Sequence, residues 1–219
     1  MTQAEFSIRY IINGNNDAYI TKWALAARAW GHPFFLRFAH EMNGNWYPWS
    51  EKKNGNQAGE YVQAWRHVRN IFRQQGVTNV SWVWVPNIII SNSVPLEGLY
   101  SGDEYVDWVG MDGYNMHASN FRSFSTLVKP TYDSLQTITN SKPIMIAETS
   151  SVEGAPGAKA DWFSSALTQL PTQFPQIKAF VIFKINKEHD WRIESSETAQ
   201  AAFARGIASD IFATNTFVN

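Results

Sequence analysis

The chain has 219 residues, of which 44% are hydrophobic, and a formal net charge of −1. That is enough apolar material for a real core, and it offers no basic stripe for nucleic acid and no polybasic segment for a membrane surface. Cysteine is absent, which removes disulfides, thiol nucleophiles and thiolate metal sites together.

No repeat, linker or low-complexity tract interrupts the chain, so residues 1–219 read as a single domain. Met1 to Gly14 lacks the basic start and apolar run of a secretory signal, and no apolar run approaches the roughly 20 residues that span a bilayer. "FSIRYII" (6–12) offers one further short strand. A helix follows over 16–31, with Asn16 or Asp17 as cap and Tyr19, Trp23, Ala26/Ala27 and Trp30 on one side. "HPFFLRFAHE" (32–41) reads as a strand. Beyond a loop through Asn54-Gly55, a helix over 57–75 repeats Tyr61, Ala64/Trp65, Val68 and Ile71/Phe72 at helical spacing. "NVSWVWVPN" (79–87) is a strand that Pro86 ends, and "VDWVGMDGYN" (106–115) is the next. A helix occupies much of 122–140. The strand "KPIMIAET" (142–149) leads to a helix with Phe163, Ala166/Leu167 and Leu170 on one face. The strand "AFVIFKIN" (179–186) and a helix near 196–212 close the pattern.

Nearly continuous apolar strands alternating with helices predict an α/β fold with a parallel sheet under helices. An eight-stranded barrel needs eight strands and typically about 250 residues, whereas a doubly wound sheet needs fewer. Periodicity leaves the two open. In both, the C-terminal ends of the strands carry the active site. Glu41 closes "PFFLRFAHE" and Glu148 closes "PIMIAE". On extended backbone Phe35, Arg37, Ala39 and Glu41 share one face, and Ile144, Ile146 and Glu148 share another. A buried Arg37 demands a carboxylate or several other acceptors.

Two acids at the mouth of one sheet suit the cutting of a glycosidic bond, one protonated and one ionised. A carboxyl separation of about 5–5.5 Å implies a covalent intermediate, and about 6.5–9.5 Å implies direct water attack. Two structural ion pairs are the plain alternative. Trp46, Tyr47 and Trp49, on the loop after Glu41, favour a groove for sugar, because flat rings stack on C–H faces. Tyr114 and Asn115 end their strand within reach of such a groove. Trp82 and Trp84 read as packing instead. "HEMNG" is not a zinc-binding His-Glu-x-x-His, since Gly44 stands where the second His belongs. His32, His67, His117 and His189 show no ligand spacing, and "SGDEYVD" reads as a solvated turn rather than a calcium loop. No metal or cofactor is expected.

With these motifs the chain resembles glycoside hydrolase family 26, retaining endo-β-glycanases on the eight-stranded barrel. The resemblance lies in "RFAHEMNGNWYPW", "WRHVRNIF", "NVSWVWVPN", "DEYVDWVGMDGYN", "KPIMIAETSS" and "DWRIESS", in family order over nearly the whole chain. It implies Glu41 as acid/base and Glu148 as nucleophile, with His40, Asn43 and Tyr114 around the sugar and Arg37, Trp46 and Trp49 among the substrate-binding residues. Arg37 and the Tyr114 hydroxyl would keep Glu148 ionised if they reach it, and aromatic walls would help Glu41 hold its proton. A polysaccharide partner and export follow from the same likeness.

Two departures stand out. Ile182 and Lys184 occupy positions where the family usually has Trp and often Asn. A segment like "IINGNNDAYITKWA" follows the third strand in the family, so the first two or three strands are expected to be missing. The resulting TIM-type barrel would be incomplete, with sheet edges open to self-association. Pro48 in "NWYPW" leans toward mixed-linkage β-1,3-1,4-glucan over β-1,4-mannan or β-1,3-xylan. A glycan-binding fragment without turnover is the alternative function.

Overall fold

The computed structural model describes residues 3–213. Its strands are β1 (Phe34–Leu36), β2 (Val80–Trp84), β3 (Trp108–Asn115), β4 (Ile144–Ser151) and β5 (Ile177–Ile182), in the order β1-β2-β3-β4-β5. The helices are α1 (Ile8–Ile12), α2 (Asp17–Trp30), α3 (Glu60–Gln74), α4 (Phe124–Ile138), α5 (Ala158–Gln173) and α6 (Glu197–Ile207). The five strands are parallel; β1 meets β2 with Phe34 opposite Val80, and β2 meets β3 with Val83 opposite Trp108. Helices α3, α4 and α5 provide crossovers, while an irregular segment with a short 3-10 turn, Leu96–Leu99, joins β2 to β3.

A doubly wound sheet reverses its strand order at a switch point. Here spatial order follows chain order without reversal. That settles the alternative left open by periodicity in favour of barrel-type winding, with five strands among the described residues. No helix among those residues is long and apolar enough to cross a membrane.

Packing divides the chain into two compact units. One comprises residues up to Asp112 with Asp133–Ile144; the other comprises Gly113–Tyr132 with residues from Met145 on. In the first unit, α3 buries Tyr61, Ala64, Trp65, Val68, Ile71 and Phe72, the stripe its sequence predicts. Trp82 meets Trp65 and Phe72 edge-on at 5.8 and 5.1 Å, and buried Trp84 donates its indole N–H to the Leu99 carbonyl at 3.1 Å. Both are packing residues, as their alternation within β2 suggests.

Two expectations fail in this unit. "FSIRYII" forms α1 rather than a strand: the Ser7 hydroxyl accepts from the Tyr10 N–H, and the Asn56 side chain accepts from the Ile8 N–H. A cap outweighs an ambiguous pattern in so short a segment. In α2 the buried face is Ile20, Ala24 and Ala27, whereas Tyr19 and Trp30 are 69% and 58% exposed. Small side chains let α2 approach α3, where Trp23 touches Phe72 at 5.9 Å and Asp17 meets His67 at 2.6 Å.

The second unit is built on aromatics. Phe124 of α4 contacts Trp162 and Phe174 at 5.4 and 5.8 Å, and Phe163 of α5 meets Phe203 of α6 at 5.3 Å. β4 continues three residues past Glu148 to Ser151, so that acid sits inside its strand rather than closing it. β5 stops at Ile182, before Lys184 and Asn186.

Candidate active site

Glu41 lies beyond the end of β1, because Ala39 and Glu41 adopt left-handed backbone angles, φ 47° and 56°. The shared face expected for Arg37, Ala39 and Glu41 therefore ends with the strand, since alternation requires extended backbone. The chain nevertheless stays alongside β2, with the Glu41 N–H donating to the Val85 carbonyl at 2.8 Å. Such angles at non-glycine residues cost of order 1–3 kcal/mol and persist only where the surroundings enforce them. The enforcement is visible. Glu41 is only 7% exposed; its Oε2 accepts the Trp46 indole N–H at 2.7 Å and its Oε1 accepts the Asn87 side-chain amide at 2.8 Å.

The neighbouring residues explain how this seat is built. A Cβ on Gly44 would come within 2.4 Å of the Trp46 ring, so glycine is needed there for close approach, although its φ is ordinary. Asn43, expected beside the sugar, is 0% exposed. Its amide donates to the Asn87 carbonyl at 2.9 Å and accepts the Asn87 N–H at 2.8 Å, so it braces the residue that holds Glu41. Tyr47 and Trp49 stack at 4.4 Å with 15° between their planes. The His40 ring contacts both, and the Trp49 indole N–H donates to the His40 carbonyl at 2.7 Å. Trp46 is 43% exposed and leaves ring surface available to a ligand. Arg37 is only partly buried and has a carboxylate partner: Nη1 donates to both oxygens of fully buried Asp112, at 2.9 and 3.0 Å.

Glu148 is seated in the second unit. The Tyr114 hydroxyl donates to its Oε2. The Tyr114 ring packs against Phe183 at 5.5 Å and Trp191 at 5.0 Å. Trp191 belongs to the "DWRIESS" motif. Its carbonyl accepts the Ser150 hydroxyl at 2.7 Å and its N–H donates to the Ile185 carbonyl at 2.9 Å. Asp190 and Arg192 form a fork at 2.7 and 2.8 Å, which holds the Asp190 carboxyl down at about 2 through the guanidinium hydrogen bonds. Asn115 points its amide at Ser151 and accepts the Arg122 N–H; it fastens the chain after β3. Lys184 pairs with Glu194 at 3.2 Å.

Three residues that organise these seats were not singled out as candidates from the sequence. Asn87 follows Pro86 at the end of β2, where an exposed-looking Asn gives no sign of a carboxylate partner. Asp112 hides inside "GMDGYN". Trp191 entered only within the "DWRIESS" motif. Chemically, the arrangement supplies one nearly buried carboxylate held by two N–H donors and one held by a phenol, each beside aromatic rings.

The model of Glycosyl hydrolase family 26 matches residues 7–191. Endoglucanase H of Acetivibrio thermocellus is 40% identical over 215 residues, covering 94% of this chain and 23% of that protein. A protein of Caldalkalibacillus mannanilyticus, "Mannan endo-1,4-beta-mannosidase A and B", is 30% identical over 90 residues, 39% of this chain and 17% of its own length. A solved β-mannanase from Bacteroides ovatus superposes with a TM-score of 0.69 at 22% identity, over 96% of this chain and 64% of that one; the likeness concerns the fold. The chain thus spans less than two thirds of the length of each. Strand winding, motif order and the family match agree, and the chain belongs to glycosyl hydrolase family 26.

Proposed function

We propose that this chain carries both acids of an endo-acting β-glycan hydrolase that works with retention of configuration. Glu148 attacks the anomeric carbon while Glu41 gives its proton to the departing glycosidic oxygen. Glu41 then takes a proton from the water that hydrolyses the glycosyl ester. The observation that carries this reading is the seat of Glu41: burial favours the protonated form it starts from, and the Trp46 and Asn87 N–H donors hold the ionised form it takes once the proton is given up, on a strained backbone. Enforced backbone strain clusters at functional sites, and it points here to a working acid. The Tyr114 hydroxyl on Glu148 suits a nucleophile that must stay ionised and oriented, because a hydrogen bond to the charged form favours it. The stacked Tyr47–Trp49 pair and half-exposed Trp46 suit an aromatic-lined groove for sugar.

For the substrate, we favour a β-glucan with mixed β-1,3 and β-1,4 linkages. The relative that aligns over 94% of the chain is an endoglucanase, whereas the mannosidase aligns over 39%. Pro48 between Tyr47 and Trp49 points the same way. The test is release of reducing ends from lichenan, galactomannan and β-1,3-xylan by the same preparation. Activity on lichenan above the other two is expected. Higher activity on galactomannan would overturn the substrate assignment, and binding to glycans without any release would favour a non-catalytic fragment.

A further inference from the structure

Lys159, in the first turn of α5, is 0% exposed. Taking an ammonium out of water costs several kcal/mol unless all three of its donors find partners. They do. Nζ donates to the Asp190 carbonyl at 2.9 Å, the Arg192 carbonyl at 2.7 Å and the Ser195 hydroxyl at 2.9 Å. All three acceptors lie on one segment, residues 190–195, and all are neutral. Burial pushes the lysine pKa down, and the nearby Asp190 and Glu153 charges oppose that shift.

A merely structural tie here is redundant. The hydrogen bonds of Trp191 with Ser150 and Ile185 already fasten the segment, and the Asp190–Arg192 fork closes it on itself. An apolar side chain of similar volume would fill the space at lower desolvation cost. What the ammonium adds is the relative placement of two carbonyls that flank Trp191. That ring lies 5.0 Å from Tyr114, whose hydroxyl donates to Glu148.

We propose that Lys159 is a positioning residue for Glu148: by drawing the Asp190 and Arg192 carbonyls and Ser195 to one point, it sets Trp191 against Tyr114 and aims the Tyr114 hydroxyl. The proposal rests on the reading of Glu148 as nucleophile. It acts through two intervening side chains, so it concerns the geometry of the chemical step and not the grip on substrate.

The experiment is fluorine NMR of the 3-fluorotyrosine-labelled protein, which has eight tyrosines, together with kinetics on lichenan. Tyr114→Phe assigns the Tyr114 signal. In Lys159→Met that signal shifts or broadens while those of Tyr10, Tyr19 and Tyr61 stay in place, and kcat falls roughly 10- to 100-fold with KM within about twofold. An unmoved Tyr114 signal in a folded Lys159→Met protein overturns the proposal, as does a rise in KM with kcat intact. If Lys159→Met does not fold, Ser195→Ala decides, removing one acceptor: a smaller shift of the same signal is expected, and no shift overturns the proposal. Should the unaltered protein cleave no glycan, the hydrolase reading fails, while the fluorine signal still reports whether Lys159 sets Tyr114.

Discussion

The Trp46 indole N–H reaches the Glu41 carboxylate at 2.7 Å while the far edge of the same ring lies where a Cβ of residue 44 would be. Gly44, Trp46 and Glu41 therefore form one mechanical unit. Gly44→Ala fits the backbone but must displace the Trp46 ring and its hydrogen bond. We expect kcat on glucan to fall about 10- to 100-fold. The melting temperature should change little, because a half-exposed ring is what moves. Wild-type turnover in Gly44→Ala would show that Trp46 has no part in holding Glu41.

Asp112 is the fully buried partner of Arg37. Removing one member of a buried pair leaves the other charge poorly compensated, at a cost of about 3 kcal/mol. Asp112→Asn should lower the unfolding free energy by that amount, and the urea midpoint by that amount divided by the unchanged slope. A loss below about 1 kcal/mol would mean that solvent replaces the carboxylate at Arg37, which is only partly buried.

How much of this was legible in the residues alone can be judged element by element. Helix α3 and the packing roles of Trp82 and Trp84 followed from period and from strand alternation, because those segments are long and their buried stripes are large. Glu41 and Glu148 drew attention in the sequence because each follows an apolar run, and their proposed roles rest on that together with the seats described above. The face of α2 was not. Its aromatic residues and its small residues both recur at helical spacing, and α3 selected the small ones because they allow close approach. The left-handed angles at Ala39 and Glu41 were equally hidden, since neither residue type announces them. Asn87 as a holder of Glu41 required tertiary structure, for the two residues are 46 positions apart.

Acid stability offers a separate check. The Arg192 hydrogen bonds depress Asp190 from 3.8 to about 2. A carboxyl lowered on folding contributes stability above its unfolded pKa and loses it as pH falls through the folded value. The contribution should be fully present above about pH 4, shrink as pH falls and vanish only below about pH 2. Partial exposure of the pair keeps it small. Asp190→Asn should thus be slightly less stable than the unaltered protein at pH 6, with the gap narrowing toward pH 2. A stability gap that widens toward pH 2 would contradict this.

β1 stands at one edge of the strand order, with Phe35 half exposed. An edge strand presents unpaired N–H and C=O groups to other chains. Light scattering should show concentration-dependent association, reduced by Phe35→Lys. Strict monomers across the range would show that the edge is protected.

The most direct test of the account is the anomeric form of the first product. Proton NMR during hydrolysis of lichenan should show the β reducing end appearing first and the α form growing only by mutarotation. Glu148→Gln should release no product on the same timescale. An α product at the outset, or wild-type turnover in Glu148→Gln, would contradict a covalent step at Glu148.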